Sequence, residues 1–423
     1  MRVAIWALGG ALAFGLLAVV NHGAGVSELA RVAWPTVRVE IVGEPEVVMR
    51  YRTDSCPAAG GMDLPDMPAR AVRRPGDEWI LLFAGNAPDY YVLVGPDFAR
   101  LRRDCTRPVL RSGDSPAPHT FDHQEWILSV YREGRILHAL VHNEYHDPTA
   151  PNCKPGATDP SNPCWYNAIT YAASRDGGRT FLQPQAPGHV VAAPPIPWNP
   201  LSPQPCRRGP CPPPPYGYFG ASNIVRGADG YYYAMFMAIP DPAQPAFRGT
   251  CLMRTATLAD PASWRAWDGE GFTLPMPSPY DEEGNPRPTG LPPCTFVAPE
   301  TIGTLHESLT YNAYLGMYIL VGSAVFSVDG VLTCGVFFSL SPDLLRWSPP
   351  RLIMPTKLPY SPCNPDGTPD GSLIYPSLID HDSPSPSFEV TGQEPYLYFV
   401  RWNSGLDRDL LRVRLRFAVE PEL

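Results

Sequence analysis

Between Ile136 and His146 the chain reads ILHALVHNEYH, and its last five residues set two histidines and a glutamate at alternate positions. Alternate residues of a strand share a face, so His142, Glu144 and His146 project together, with Leu140 and His138 beneath them. A carboxyl between imidazoles suits proton transfer. Cleavage of a glycosidic bond needs one carboxyl to protonate the leaving oxygen and another to act as nucleophile or to activate water. Glu144 is the leading acid or base. Burial beside Tyr145 and Trp165 raises its pKa, as an acid requires, whereas a protonated His142 lowers it. Asp122, entering the preceding strand, is the natural second carboxylate, and Asp66 and Glu307 would complete the cluster. His142, His146, Trp165, Asn223, Arg254 and Arg401 are the candidate substrate-binding residues. Trp165, Trp198, Tyr218 and Tyr232 offer flat faces to a sugar ring, although any one such residue is more often core. Two histidines and a carboxylate are also donors for zinc or manganese, but no fourth ligand is evident, and neither metal nor cofactor is expected. The plain alternative for every one of these groups is a hydrogen bond to turn backbone.

These residues need a scaffold of strands. Ile136–Val141 and Tyr166–Ala173 flank a loop bracketed by Cys153 and Cys164, and the second run ends in Ser174-Arg-Asp176-Gly-Gly178-Arg-Thr180-Phe181. In such a turn Asp176 bonds its own backbone, Gly177 and Gly178 supply positive φ, and Phe181 tucks into the sheet. A unit of polar or acidic opening, strand, short turn, aromatic-rich strand, third strand and closing hairpin recurs along the chain. Its openings are Asp66, Asp122, Ala221-Ser222-Asn223, Glu307 and Tyr375-Pro-Ser377, with Asp380 as a further acid. The spacing, roughly 55 to 100 residues, exceeds the ~40–50 of a compact propeller repeat and puts long insertions in loops. The expectation is an all-β fold, a five-bladed β-propeller over 66–423 with long Pro-rich, disulfide-stapled loops; a β-sandwich is the alternative. Residues 31–65 read as N-terminal strands or a closing segment.

Composition narrows the class. Of 423 residues, 18% are charged and the net charge is −9, which argues against a nucleic-acid partner. Proline, at 54 residues, suits short strands and long loops, and the apolar content is too high for disorder. Residues 1–30, with Arg2 followed by the apolar Val3–Val20, read as a signal peptide or a membrane anchor. Ten cysteines without a CxxC pair fit disulfides in an oxidising compartment. Cys153–Cys164, Cys206–Cys211 and Cys56–Cys105 are the expected pairs, and Cys251, Cys294, Cys334 and Cys363 cannot be assigned.

The Ser174–Phe181 octapeptide resembles the sialidase-type Asp box, S-x-D-x-G-x-T-[W/F]. Over residues 60 to 420 the arrangement resembles the five-bladed propeller glycoside hydrolases of families 43 and 32. Ser341–Trp347 is similar to their S-x-D-x-x-x-W hairpin, and Asp229-Gly230-Tyr-Tyr-Tyr233 to their D-G-x-Y-Y turn. The resemblance implies three carboxylates at the inner ends of successive blades. This chain departs from it: the third unit opens on Ala221-Ser222-Asn223, and no E-A-P-H segment occurs. The sialidase side of the resemblance implies an arginine triad, for which Arg70, Arg254 and Arg401 are the residues at hand. The expected function is an exported, monomeric carbohydrate-active hydrolase acting on a polysaccharide or glycoconjugate. The alternative is a non-catalytic propeller that binds glycan or protein at the channel mouth, secreted or held by the N-terminal segment.

Overall fold

The computed structural model describes residues 34–113, 115–146, 165–199, 215–244, 246–359, 361–364 and 368–420. These form an all-β structure in which the two α-helices, Tyr51–Asp54 and Pro299–Ile302, are single turns. Abundant β-branched and aromatic residues, with proline between the runs, leave little else for the chain to form.

The strands follow one another as antiparallel meanders. The first comprises Arg70–Arg73, Ile80–Phe83, Val92–Gly95 and Arg102–Arg103. Gln124–Glu133, Ile136–His146, Trp165–Ser174 and Val190–Ala192 form the second. In the third, Tyr216–Ala221 and then Val225–Arg226 pair with Tyr232–Ile239, followed by Gly249–Thr255 and Arg265–Trp267. Ser308–Asn312, Met317–Val328, Val331–Ser341 and Arg351–Pro355 make the fourth. The last contains Leu373–Ile379, Tyr396–Ser404 and Asp407–Val419, and its outer strand is Val37–Met49 from the start of the described chain. The second and third meanders join through a short parallel pairing of Tyr166 and Asn167 with Tyr216 and Gly217.

Two boundaries differ from the sequence reading. The third meander opens at Tyr216, ahead of Ala221, because Tyr216 and Gly217 pair with the second meander and Gly217–Ala221 with Tyr232–Ile239 before the chain breaks at Ser222–Ile224. The fifth opens at Leu373, and Tyr375, at φ +57°, lies in an irregularity between Ile374 and Ser377.

The first strands converge on one side chain. Arg70, 2% exposed, donates from Nη1 to Ser377 Oγ at 2.9 Å and to its neighbour Ala69 O at 3.1 Å. Its Nη2 reaches the carbonyls of Ala221, at 3.5 Å, and of Glu307. Ser308 Oγ reaches Asn223 Oδ1 at 3.3 Å and accepts from Leu378 N at 3.0 Å. Residues from four meanders thus meet around a single guanidinium, whose pKa burial lowers to about 9.

At the far end of the second meander Asp176 organises a turn. It accepts from the amides of Arg179 and Thr180, both at 3.0 Å, and from the hydroxyls of Ser174 and Thr180. Phe181 is buried there, its ring 5.7 Å from Phe83 and edge-on to it. Burying such a ring contributes about 2–3 kcal/mol. Asp343 repeats the arrangement, accepting from the amides of Leu345 and Arg346, with Trp347 buried behind.

Three disulfides lie among the described residues: Cys56–Cys105, Cys251–Cys294 and Cys334–Cys363. The expected pairs Cys153–Cys164 and Cys206–Cys211, the N-terminal apolar run and most of the Pro-rich loop fall outside the described residues. Among those described, no helix is long and apolar enough to cross a membrane.

Candidate active site

Ile136–His146 pairs along its whole length with Trp165–Ser174, which fixes the alternation that brings His142, Glu144 and His146 to one face. Both imidazoles close on the carboxylate: His142 Nε2 lies 3.0 Å from Glu144 Oε1, and His146 Nε2 lies 3.0 Å from Oε2. The tautomer of His142 follows from its other nitrogen. Gly220 N–H donates to His142 Nδ1 at 3.3 Å, so Nε2 carries the proton and donates to Glu144. Burial alone would raise the Glu144 pKa, but the hydrogen bonds from His142 and His146 outweigh it and bring it down to about 2. Phe219 stacks on His142 with ring centres 6.4 Å apart, and Trp165 meets the His146 ring edge-on at 5.5 Å. The His146 amide also donates to His123 Nδ1 at 3.3 Å.

Gly220 leads to a second carboxylate. It sits at φ +50°, which favours glycine, and a Cβ there would lie a tight 3.1 Å from His306 Nε2. Glu307 follows His306 in the chain. Its carboxylate lies against the fourth meander, accepting from the Ser323 amide, at a place where a Cβ on Gly322 would come 2.9 Å from Oε2. Burial raises the Glu307 pKa to about 8, against the opposing hydrogen bond from Ser323 and the charge of Arg70. Glu144, His146, Trp165, Phe219, Gly220, His306, Glu307 and Ser323 all keep partial exposure, so this neighbourhood reaches solvent.

The other sequence candidates are placed elsewhere. Asp66 forms an ion pair with Arg408, whose guanidinium lies 3.8 Å above the Trp402 ring. Asp122 accepts from Thr120 Oγ1 at 2.6 Å and packs against Gly113, a turn arrangement without a bond to Glu144. Asn223 is buried beside Ser308. Arg401 pairs with Asp409 at 2.8 Å. Arg254 is paired in register with Tyr233, whereas the Glu144 row runs through Asn167, Gly217 and Ile239. It therefore lies at the opposite end of the third meander, held by Asp229 at 3.5 Å and stacked over Tyr231 and Phe272. With Arg70 buried among carbonyls, the three arginines do not assemble into a triad. Asp380 caps the exit of its strand, accepting from the Asp382 and Gly392 amides beside a groove of about 320 Å³ lined by Asp382 and Glu394.

Sequence reasoning passed over His306, Gly220 and Glu125. His306 was visible as the neighbour of Glu307, but nothing local marks Gly220 as its contact. Glu125 is 1% exposed and accepts from Gln183 at 2.6 Å, and burial pushes its pKa to about 8. Among the described residues no group of three or more His, Cys, Asp or Glu is arranged to hold a metal ion.

No family model and no curated protein matches this chain. Solved structures do resemble it. One is a protein of unknown function from Dyadobacter fermentans, at 12% identity and TM-score 0.42, covering 90% of this chain and 99% of that one. An endo-arabinase from Bacteroides thetaiotaomicron has 9% identity and TM-score 0.45, covering 87% and 96%. An alpha-L-arabinanase from Cellvibrio cellulosa, complexed with arabinohexaose, has 11% identity and TM-score 0.43, covering 83% and 91%.

Proposed function

We propose that the chain is an exported glycoside hydrolase on a five-bladed β-propeller, with its site around Gly220, where His142 and His306 meet, and with Glu144 and Glu307 as its carboxyls. The observation that carries this reading is the opposite tuning of the two carboxyls. Glu144 is held ionised with a pKa of about 2, and Glu307 is held protonated with a pKa of about 8. Paired titratable groups whose environments push them apart mark acid and base assignments. Glu307 protonates the departing glycosidic oxygen. A carboxylate as firmly ionised as Glu144 is a poor base, and its task is to face the positive charge developing at the anomeric carbon, as nucleophile or electrostatic partner. His142 and His146 hold it in place, and Trp165 and Phe219 supply faces for sugar rings. Five successive meanders, four of which meet at Arg70, support the reading as five blades. The three disulfides and the N-terminal apolar run support export.

A non-catalytic, glycan-binding propeller is the second reading. It is favoured by the engagement of Asp66 with Arg408 and of Asp122 with Thr120, which leaves two of the four expected carboxylates committed to structure. Glu144→Gln separates the two. On a broad oligosaccharide panel the variant should lose about 10²–10⁴-fold in turnover while keeping its fold and glycan binding. Full turnover in the folded variant makes Glu144 structural. Binding without cleavage by the wild type establishes the second reading.

A further inference from the structure

The hydrolytic reading employs Glu144, Glu307 and the imidazoles that clamp the former, and it leaves His306 without a task. That ring is partly exposed and oriented by one hydrogen bond, from Nδ1 to the carbonyl oxygen of Thr304 at 2.8 Å. A carbonyl only accepts, so Nδ1 carries the proton and the neutral ring leaves a bare lone pair on Nε2. Gly220 is the backbone facing that nitrogen, and its N–H is already given to His142. Leu128, the next group at Gly220, is apolar. Among the described residues no donor reaches His306 Nε2. Burial, with the charge of Arg70, brings the His306 pKa down to about 4, so the ring is neutral near pH 7.

We infer that His306 Nε2 accepts a hydrogen bond from a hydroxyl of the bound sugar, and that Gly220 keeps this acceptor open. The inference rests on the carbohydrate reading above and names its substrate class. An acceptor lone pair invites the donor of an uncharged, hydroxyl-bearing ring and repels a carboxylate. Arg70, the nearby cation, is spent on carbonyls and Ser377 and cannot reward an anion. The unit bound here is therefore a neutral glycosyl residue, not a uronate.

The test uses the full chain with arabinohexaose and xylohexaose as neutral probes and a galacturonic acid hexamer as the acidic one. Nitrogen NMR of the wild-type imidazoles should show His306 as the Nδ1–H tautomer, with its Nε2 signal shifting when a neutral probe binds. His306→Phe and Gly220→Ala should each weaken neutral-probe binding about tenfold, the loss expected for one hydrogen bond. His306→Gln, which can set an amide oxygen near the place of Nε2, should stay within about threefold of wild type. An Nε2–H tautomer, unchanged affinity in His306→Phe, or preference for the acidic probe overturns the inference. If the wild type binds and cleaves a neutral probe while His306 substitutions change nothing, this inference alone fails. If it binds none of the probes, the inference and the carbohydrate reading fail together.

Discussion

Two carboxylates at opposite ends of the second meander have been given opposite lives. Asp176 accepts from two backbone amides and two hydroxyls, none of which changes protonation in the ordinary pH range. Glu144 accepts from two imidazole rings instead. The same residue chemistry is thus spent on shape at one end and kept for chemistry at the other. Asp343 follows Asp176, with two backbone amides of its own. Glu307 and Glu125 form a third case: their donors are the Ser323 amide and the Gln183 side chain, and burial keeps both protonated. What divides the two ends is the nature of the donors, not the number of acids.

Substitution at the proton-exchanging end should have the largest effect. Glu307→Gln keeps size and a hydrogen-bonding oxygen but removes the transferable proton, so turnover of any cleaved oligosaccharide at pH 7 should fall about 10²–10⁴-fold. A steady-state assay showing less than a twofold loss would break the comparison on this side.

Stability against pH sharpens it next. Glu307 and Glu125 have folded pKa values of about 8, above the 4.5 of an ordinary glutamate, so the folded chain holds more protons between those limits. Stability contributed by these groups is therefore present at low pH and declines as pH rises from about 4.5 to 8, by on the order of 2–4 kcal/mol for each. Denaturant unfolding across that range should show the decline, and Glu307→Gln should make it shallower. Glu144 works the other way. Its depressed pKa adds stability above the ordinary glutamate range that is lost as pH falls toward 2.

The smallest effect belongs to the turn. Asp176→Asn weakens acceptor bonds that close the Ser174–Phe181 hairpin, and should cost about 1–3 kcal/mol of stability while turnover stays within twofold. A large loss of turnover with unchanged melting would erase the distinction between the ends.

Much of the scaffold was legible because strand alternation and turn chemistry are local. The HNEYH run put three side chains on one face through period two alone, and Asp176 declared its turn through the glycines that follow it. The Cys56–Cys105 pair was expected as a tie of the first blade, and the structure contains it. What stayed hidden depends on long-range partners. Asp66 meets Arg408 from 342 residues away, and His142 bonds to Gly220 across 78 residues. Arg70 gave no sign that carbonyls of other meanders would surround it. The third opening was misplaced because Tyr216–Ala221 pairs with Tyr232–Ile239 and, at Tyr216 and Gly217, with the second meander, which no local pattern announces. Counting acidic openings treated every carboxyl alike, and only their donors tell Asp122 from Glu144.

The most direct test is a carboxyl-carbon NMR titration of the wild-type chain, with Glu144→Gln and Glu307→Gln assigning the two signals. The Glu144 signal should remain that of a carboxylate down to about pH 3, and the Glu307 signal should titrate near pH 8. Two carboxyls titrating together between about pH 4 and 5, as free glutamates do, would contradict the division of roles at this end of the molecule.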